Sequence, residues 1–158
     1  MMKISKAQQY ARLREEQFSI FEKYARMNGM NNKSLLVFMW IYHNPAALTQ
    51  ETIAKRTYST KQVIQAIIKT YIAKEILCLE PSQNDKRKKF VKLTEKGQTF
   101  ASQILEPLAT YETEAMAALT EKQQKILLEA TQVFSHKLNT LLEVHHVPDT
   151  GKDPASFI

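Results

Sequence analysis

Apolar residues recur along this chain with two different periods, and the switch between them outlines the fold. From Ser5 to Met27, Tyr10, Leu13, Ile20, Phe21, Tyr24 and Met27 return at spacings that keep them near one another on a helix, which Asn28-Gly29 can stop. A second helix follows Asn31-Asn32 and carries Leu35, Leu36, Phe38, Met39, Trp40 and Tyr42. It ends near Asn44-Pro45, because the residue before a proline is pushed out of the α region. Thr49 can cap a short helix from Gln50 to about Arg56, with Ile53 and Ala54 inward, and Thr57-Tyr58 make a turn. Ser59 begins a capping-box pattern, Ser-Thr-Lys-Gln, for a helix from Thr60 to about Lys74. That helix would bury Val63, Ile64, Ile67, Ile68, Tyr71 and Ile72 and show Lys61, Gln62, Gln65, Ala66 and Lys69 outward.

The period then drops to two. Leu77 to Glu80 and Phe90 to Leu93 alternate as strands do, with Leu77, Leu79, Val91 and Leu93 on one face and Cys78, Glu80, Phe90 and Lys92 on the other. Pro81 to Lys88 is the loop between them. The helical period returns at Thr94, which caps a helix from Glu95 to about Ala118. Pro107 lies inside it and is expected to kink it. Thr120 opens a second capping box and a last helix, Glu121 to about Glu143, bearing Ile126, Leu127, Ala130, Val133, Phe134, Leu138, Leu141 and Leu142. The tail, 148–158, is polar with Pro and Gly and is expected to be flexible.

Composition narrows this picture. Three glycines and five prolines in 158 residues favour helices over a turn-rich all-β fold. The net charge is +6, and its placement matters more than its size. Residues 49–96 hold eleven Lys and Arg against five acids, while bases and acids balance over the rest of the chain. An anionic partner would be drawn to that middle third. The single cysteine, Cys78, rules out an intramolecular disulfide framework. The opening residues show no apolar stretch of a secretory signal. The longest apolar run, Leu35 to Tyr42, is far short of the ~20 residues that span a bilayer. A cytoplasmic protein without membrane partners is expected.

Two helices joined by a short turn and followed by a basic hairpin make a winged helix-turn-helix. The run from Leu48 to Gly97 resembles the MarR family of bacterial transcription regulators. Its most specific match is Asp85-x-Arg87 in the wing, followed by Val91-x-Leu93-Thr94-x-x-Gly97. The flanking helices extend the likeness over about Ser5 to Glu143. It departs from the family pattern at two places. Glu75 stands where a glycine usually precedes the first wing strand, and Tyr58 occupies a turn that often carries glycine. The resemblance implies a mainly α fold: a winged helix-turn-helix lobe, about 33–97, with dimerisation helices at about 5–28 and 98–143, in one domain over residues 1–147. It also implies a homodimer whose terminal helices interlock, a recognition helix in the major groove, a wing arginine in the minor groove, and in many members release of DNA by a small-molecule effector.

On that frame each candidate residue has a chemistry. Lys61, Gln62, Gln65 and Lys69 would face the major groove, where glutamine can read adenine and lysine can donate to guanine or phosphate. Ser59 and Thr60 stand at a helix N-terminus, which favours phosphate. Arg87 suits the negative potential of the minor groove. Asp85 either pairs with Arg87 or stabilises the turn. Lys86 reads as a phosphate contact, and Lys88 and Lys89 read equally as phosphate contacts or as ordinary surface lysines. Phe18, Phe21, Trp40, His43 and Tyr111 could line an effector pocket or be core aromatics. Cys78 could sense oxidants or simply fill a strand position. His145-His146 beside Glu143 and Asp149 does not make a metal site.

No P-loop, nucleophile elbow or CxxC is present in the sequence, so neither an enzyme nor a cofactor is expected. The function expected is sequence-specific binding of double-stranded DNA by a homodimeric repressor, released by a small molecule. The alternative is a winged-helix adaptor whose basic wing meets an acidic protein surface.

Overall fold

The computed structural model describes residues 2–44 and 46–145. Pro45, His146, Asp149 and the 148–158 tail lie outside the described residues. Among the described residues the chain forms α1 (Lys6–Met27), α2 (Asn32–His43), β1 (Leu48–Thr49), α3 (Gln50–Arg56), α4 (Lys61–Ala73), β2 (Leu77–Pro81), β3 (Lys89–Leu93), α5 (Glu95–Ala117) and α6 (Glu121–His145). It divides into two compact units, Met1–Leu105 and Glu106–Ile158, with the division inside α5 next to Pro107.

Local hydrogen bonds set the helix starts. Ser5 and Gln8 form a reciprocal capping box on α1, and Thr120 and Gln123 do the same on α6. The Asn31 side chain accepts from the Ser34 N–H at 2.8 Å, and Thr49 accepts from Thr52 at 3.1 Å. The cap of α4 corrects the expectation by one residue. Thr60, not Ser59, accepts from the Val63 N–H, at 2.9 Å. Ser59 stays in the turn and donates to the Thr57 carbonyl at 3.1 Å. Two adjacent hydroxyls competed for the cap, and the reversal at the end of α3 put the second one in place.

Three helices end by the same device. At the end of α1, Met30 N–H reaches the Ala25 carbonyl and Gly29 N–H reaches Arg26. Ser59 and Tyr58 make the same pair of bonds to Ala54 and Lys55, and Ile76 and Glu75 make it to Tyr71 and Ile72. Each is a Schellman ending, which needs a left-handed residue just past the cap. Gly29 supplies it at φ 75°, where glycine meets no Cβ penalty. Tyr58 and Glu75 hold φ 51° and 59° with side chains attached, at a cost of roughly 1–2 kcal/mol each. Met30 and Ile76, the residues that follow, turn inward and are buried, which anchors two of these ends.

The sheet is antiparallel in the order β1-β3-β2. The alternation read from the sequence holds: Leu77 pairs with Leu93, Leu79 with Val91 and Cys78 with Lys92. β1 was not foreseen, since two residues carry no period; Leu48 lies opposite Val91. The core of the first unit gathers Leu35, Val37 and Phe38 of α2, Ile53 of α3, Ile64 and Ile68 of α4, Leu77 of β2, Val91 of β3 and Leu105 of α5. The Tyr71 ring meets Phe38 edge-on at 4.6 Å. Burial raises the Tyr71 phenol above its ordinary range, partly offset by its hydrogen bond with Ser34. Val63 and Ile72, expected inside, are at the rim and 36% exposed. The Tyr24 hydroxyl donates to the Ile104 carbonyl at 2.6 Å and ties α1 to the first half of α5.

The second unit has little interior of its own. Among its described residues only Leu108 is buried. Gln124 Nε2 donates to the Met116 and Leu119 carbonyls at 3.1 and 3.2 Å, closing the turn between α5 and α6. Along α6, Ile126, Ala130, Val133, Phe134, Leu138 and Leu141 line an apolar groove of about 660 Å³.

Candidate nucleic-acid interface

The interface candidates all belong to the first unit and stand on two supports, α4 and the β2–β3 wing. In α4, Ile64, Ile67, Ile68 and Tyr71 face the core, so the helical period forces Lys61, Gln62, Gln65 and Lys69 to the opposite side. All four are exposed. The helix is held at its start by Thr60 and at its end by the Glu75 reversal.

The turn before α4 is held from several directions. Thr57 is buried, and its hydroxyl donates to the Ile53 carbonyl at 2.7 Å. Lys33 of α2 donates to the Thr57 carbonyl at 3.2 Å. The Arg56 guanidinium lies over the Trp40 ring at 4.9 Å. Neither Lys33 nor Arg56 was singled out from the sequence; each acts across long sequence separation and leaves no local signal.

The wing is anchored by its base. Thr94 Oγ1 donates to the Glu75 carbonyl at 2.6 Å and accepts from the Gly97 N–H at 2.9 Å. Lys92 pairs with Glu80 across the strands at 2.8 Å. At the tip, Asp85 Oδ1 accepts from the Arg87 backbone N–H at 3.0 Å, and Lys88 N–H reaches the Asp85 carbonyl at 3.0 Å. Of the two roles open to Asp85, the structure shows turn stabilisation. No ion pair joins it to the Arg87 guanidinium among the described residues. Lys86, Arg87, Lys88 and Lys89 are all exposed. No carboxylate pairs with them, nor with Lys61 or Lys69, among the described residues.

Of the five aromatic candidates, four lie in the first unit and one, Tyr111, in the second. Trp40 lies beneath Arg56. His43 is exposed and stands edge-on to Tyr42 at 5.2 Å. Phe18 is exposed and Phe21 half-buried on α1, and Tyr111 is exposed in the second unit. The first unit has a groove of about 600 Å³ bounded by Glu22, Arg26, Ser34, Thr70, Tyr71 and Lys74. Cys78 is half-buried in β2 opposite Lys92, whose ammonium is engaged by Glu80.

Residues 28–88 match the family model for the MarR family. Among solved structures, the MarR family regulator NMB1585 from Neisseria meningitidis is 17% identical, covers 90% of this chain and 100% of its own, and superposes with a TM-score of 0.77. Staphylococcus aureus MepR in its DNA-binding conformation is 16% identical over 85% of this chain and 99% of its own, with a TM-score of 0.72. Bordetella bronchiseptica BpsR, whose DNA binding is regulated by 6-hydroxynicotinic acid, is 14% identical over 85% of this chain and 96% of its own, with a TM-score of 0.66. No curated protein sequence matches the chain. The fold is that of the MarR family. Where the MarR pattern leads one to expect glycine, Glu75 and Tyr58 both take the left-handed conformation, so the backbone course of a MarR lobe is kept at an energetic cost.

Proposed function

We propose that this protein is a homodimeric transcription regulator that binds double-stranded DNA and represses by occluding a promoter. Lys61, Gln62, Gln65 and Lys69 enter the major groove, with Ser59 and Thr60 at a flanking phosphate. Arg87 reaches the minor groove, and Lys86, Lys88 and Lys89 meet phosphates around it. What supports this reading is one arrangement: six cations with no carboxylate partner among the described residues, on two supports of a single lobe, in the stretch 49–96 where eleven bases outnumber five acids. MepR has been solved in complex with DNA on the same fold.

A second copy is the partner that α6 calls for. Its apolar row is exposed in a single chain, and burying such a row is what dimer interfaces do. Effector release belongs to the same proposal. BpsR offers the precedent of a small-molecule-regulated relative, and the groove beside Lys74 borders α4 directly.

The test is a binding titration with a labelled duplex from the region upstream of the chain's own gene. About four phosphates neutralised per subunit, or about eight per dimer, give a slope of log affinity against log salt near −7. Binding of this kind that survives random competitor DNA supports the regulator. Absence of any preference over random DNA removes it in favour of a protein-binding adaptor.

A further inference from the structure

Tyr58 is the least economical residue in the lobe. Its side chain is 93% exposed, and its hydroxyl has no hydrogen-bond partner among the described residues. Its backbone sits at φ 51°, in the left-handed region that glycine or asparagine occupies with less strain. The free protein thus carries a strained backbone and an uncovered ring at one position, with no side-chain bond that offsets either.

Such strain persists only where the surroundings over-determine it, and it collects where a ligand is met. The surroundings here do so. The buried Thr57 hydroxyl bonds to Ile53, Lys33 grips the Thr57 carbonyl, and Ser59 N–H closes the Schellman ending on Ala54. The turn therefore presents Tyr58 in one backbone state. Lys55, Arg56 and Lys61 are the charged residues within three positions of it, and of these only Lys55 has a carboxylate partner, Glu51, among the described residues. Thr60, two residues on, caps the helix whose outer face holds Lys61, Gln62 and Gln65.

We infer that Tyr58 is a DNA-backbone contact: its hydroxyl donates a hydrogen bond to a phosphate oxygen beside the groove that α4 enters. This rests on the DNA-binding reading above. Tyrosine is among the side chains that position proteins on phosphates without reading sequence. Because the phenol is neutral, the contact displaces no counterion, unlike one from lysine or arginine.

That difference makes the contribution of Tyr58 separable. The experiment compares the full chain with Tyr58→Phe, Tyr58→Gly and Arg87→Ala. It uses two fluorescein-labelled 40-bp duplexes, one from upstream of the chain's own gene and one of random sequence at low salt. Tyr58→Phe keeps the ring and removes only the hydroxyl. It is expected to melt like the wild type and to bind both duplexes about fivefold more weakly per subunit, with an unchanged salt slope. Tyr58→Gly is expected to melt higher yet bind at least as weakly as Tyr58→Phe. Arg87→Ala is expected to flatten the slope by about one for each phosphate that the arginine no longer neutralises. Wild-type affinity in Tyr58→Phe, with Arg87→Ala weakened, overturns the inference and leaves the regulator standing. A wild-type chain that binds neither duplex sinks both.

Discussion

Gly97 stands directly against the carbonyl oxygen of Ile76, with no room for a side chain between them. This close approach joins the first turn of α5 to the residue that begins the approach to β2, and Thr94 reinforces it by accepting from Gly97 and donating to the carbonyl of Glu75, the neighbour of Ile76. The threonine and glycine of the wing motif are therefore one structural unit. They fix the base from which the wing projects.

A Cβ at Gly97 would meet backbone, which cannot swing aside as a flexible side chain could. Gly97→Ala is expected to destabilise the lobe by about 1–3 kcal/mol, as overpacking does. Thermal melting checks it. An unchanged melting temperature would mean that the base of the wing yields easily, and the account of a rigid wing would have to be given up.

Glu75 presents the opposite case. Its side chain is exposed, forms no salt bridge among the described residues, and hangs on a backbone at φ 59°. Glu75→Gly should relieve roughly 1 kcal/mol of strain, and Glu75→Asn part of it. For a chain of this size that is about 2–4 °C in melting temperature. Loss of stability in both variants would show that the glutamate has a partner that outweighs the strain.

At the wing tip, charge and geometry can be separated. Asp85→Asn keeps an acceptor for the Arg87 N–H and removes a negative charge from the wing tip proposed to meet DNA, so binding is expected to be equal or tighter. Asp85→Ala removes the acceptor and should weaken binding by loosening the turn. Fluorescence anisotropy on one duplex measures both. Equal affinities for the two variants would assign Asp85 no role in shaping the wing.

The α6 row predicts self-association. Val133 is 70% exposed, and Leu141 lies farther along the same groove. Val133→Glu together with Leu141→Glu is expected to shift the chain from dimer to monomer at micromolar concentration in sedimentation velocity, with helix content preserved. DNA affinity should fall in parallel, because two lobes held together bind far more tightly than one. A variant that remains dimeric would move the interface off this face.

Much of the scaffold is legible in the sequence because its signals are local. A cap bonds to an N–H two or three residues away, so Ser5, Asn31, Thr49 and Thr120 mark their helices in the linear text. The alternation of Leu77, Leu79, Val91 and Leu93 places them together, since a period of two leaves only one face for them. The outward set on α4 follows from the inward set in the same way.

The remainder depends on partners distant in the chain. Whether Ser59 or Thr60 caps α4 is decided by the reversal at Tyr58, and whether Val63 and Ile72 are covered depends on where the core stops. Lys33 at Thr57, Arg56 on Trp40 and Ile76 against Gly97 bring together residues well separated in sequence. Sequence alone thus determined the elements, their inward faces and the site of the excess charge, because each is a property of neighbours along the chain. Only the folded lobe decided which positions carry backbone strain, which lysines stay unpaired and which aromatic ring is left in solvent. Those outcomes depend on what packing brings close in space, and no periodicity records that.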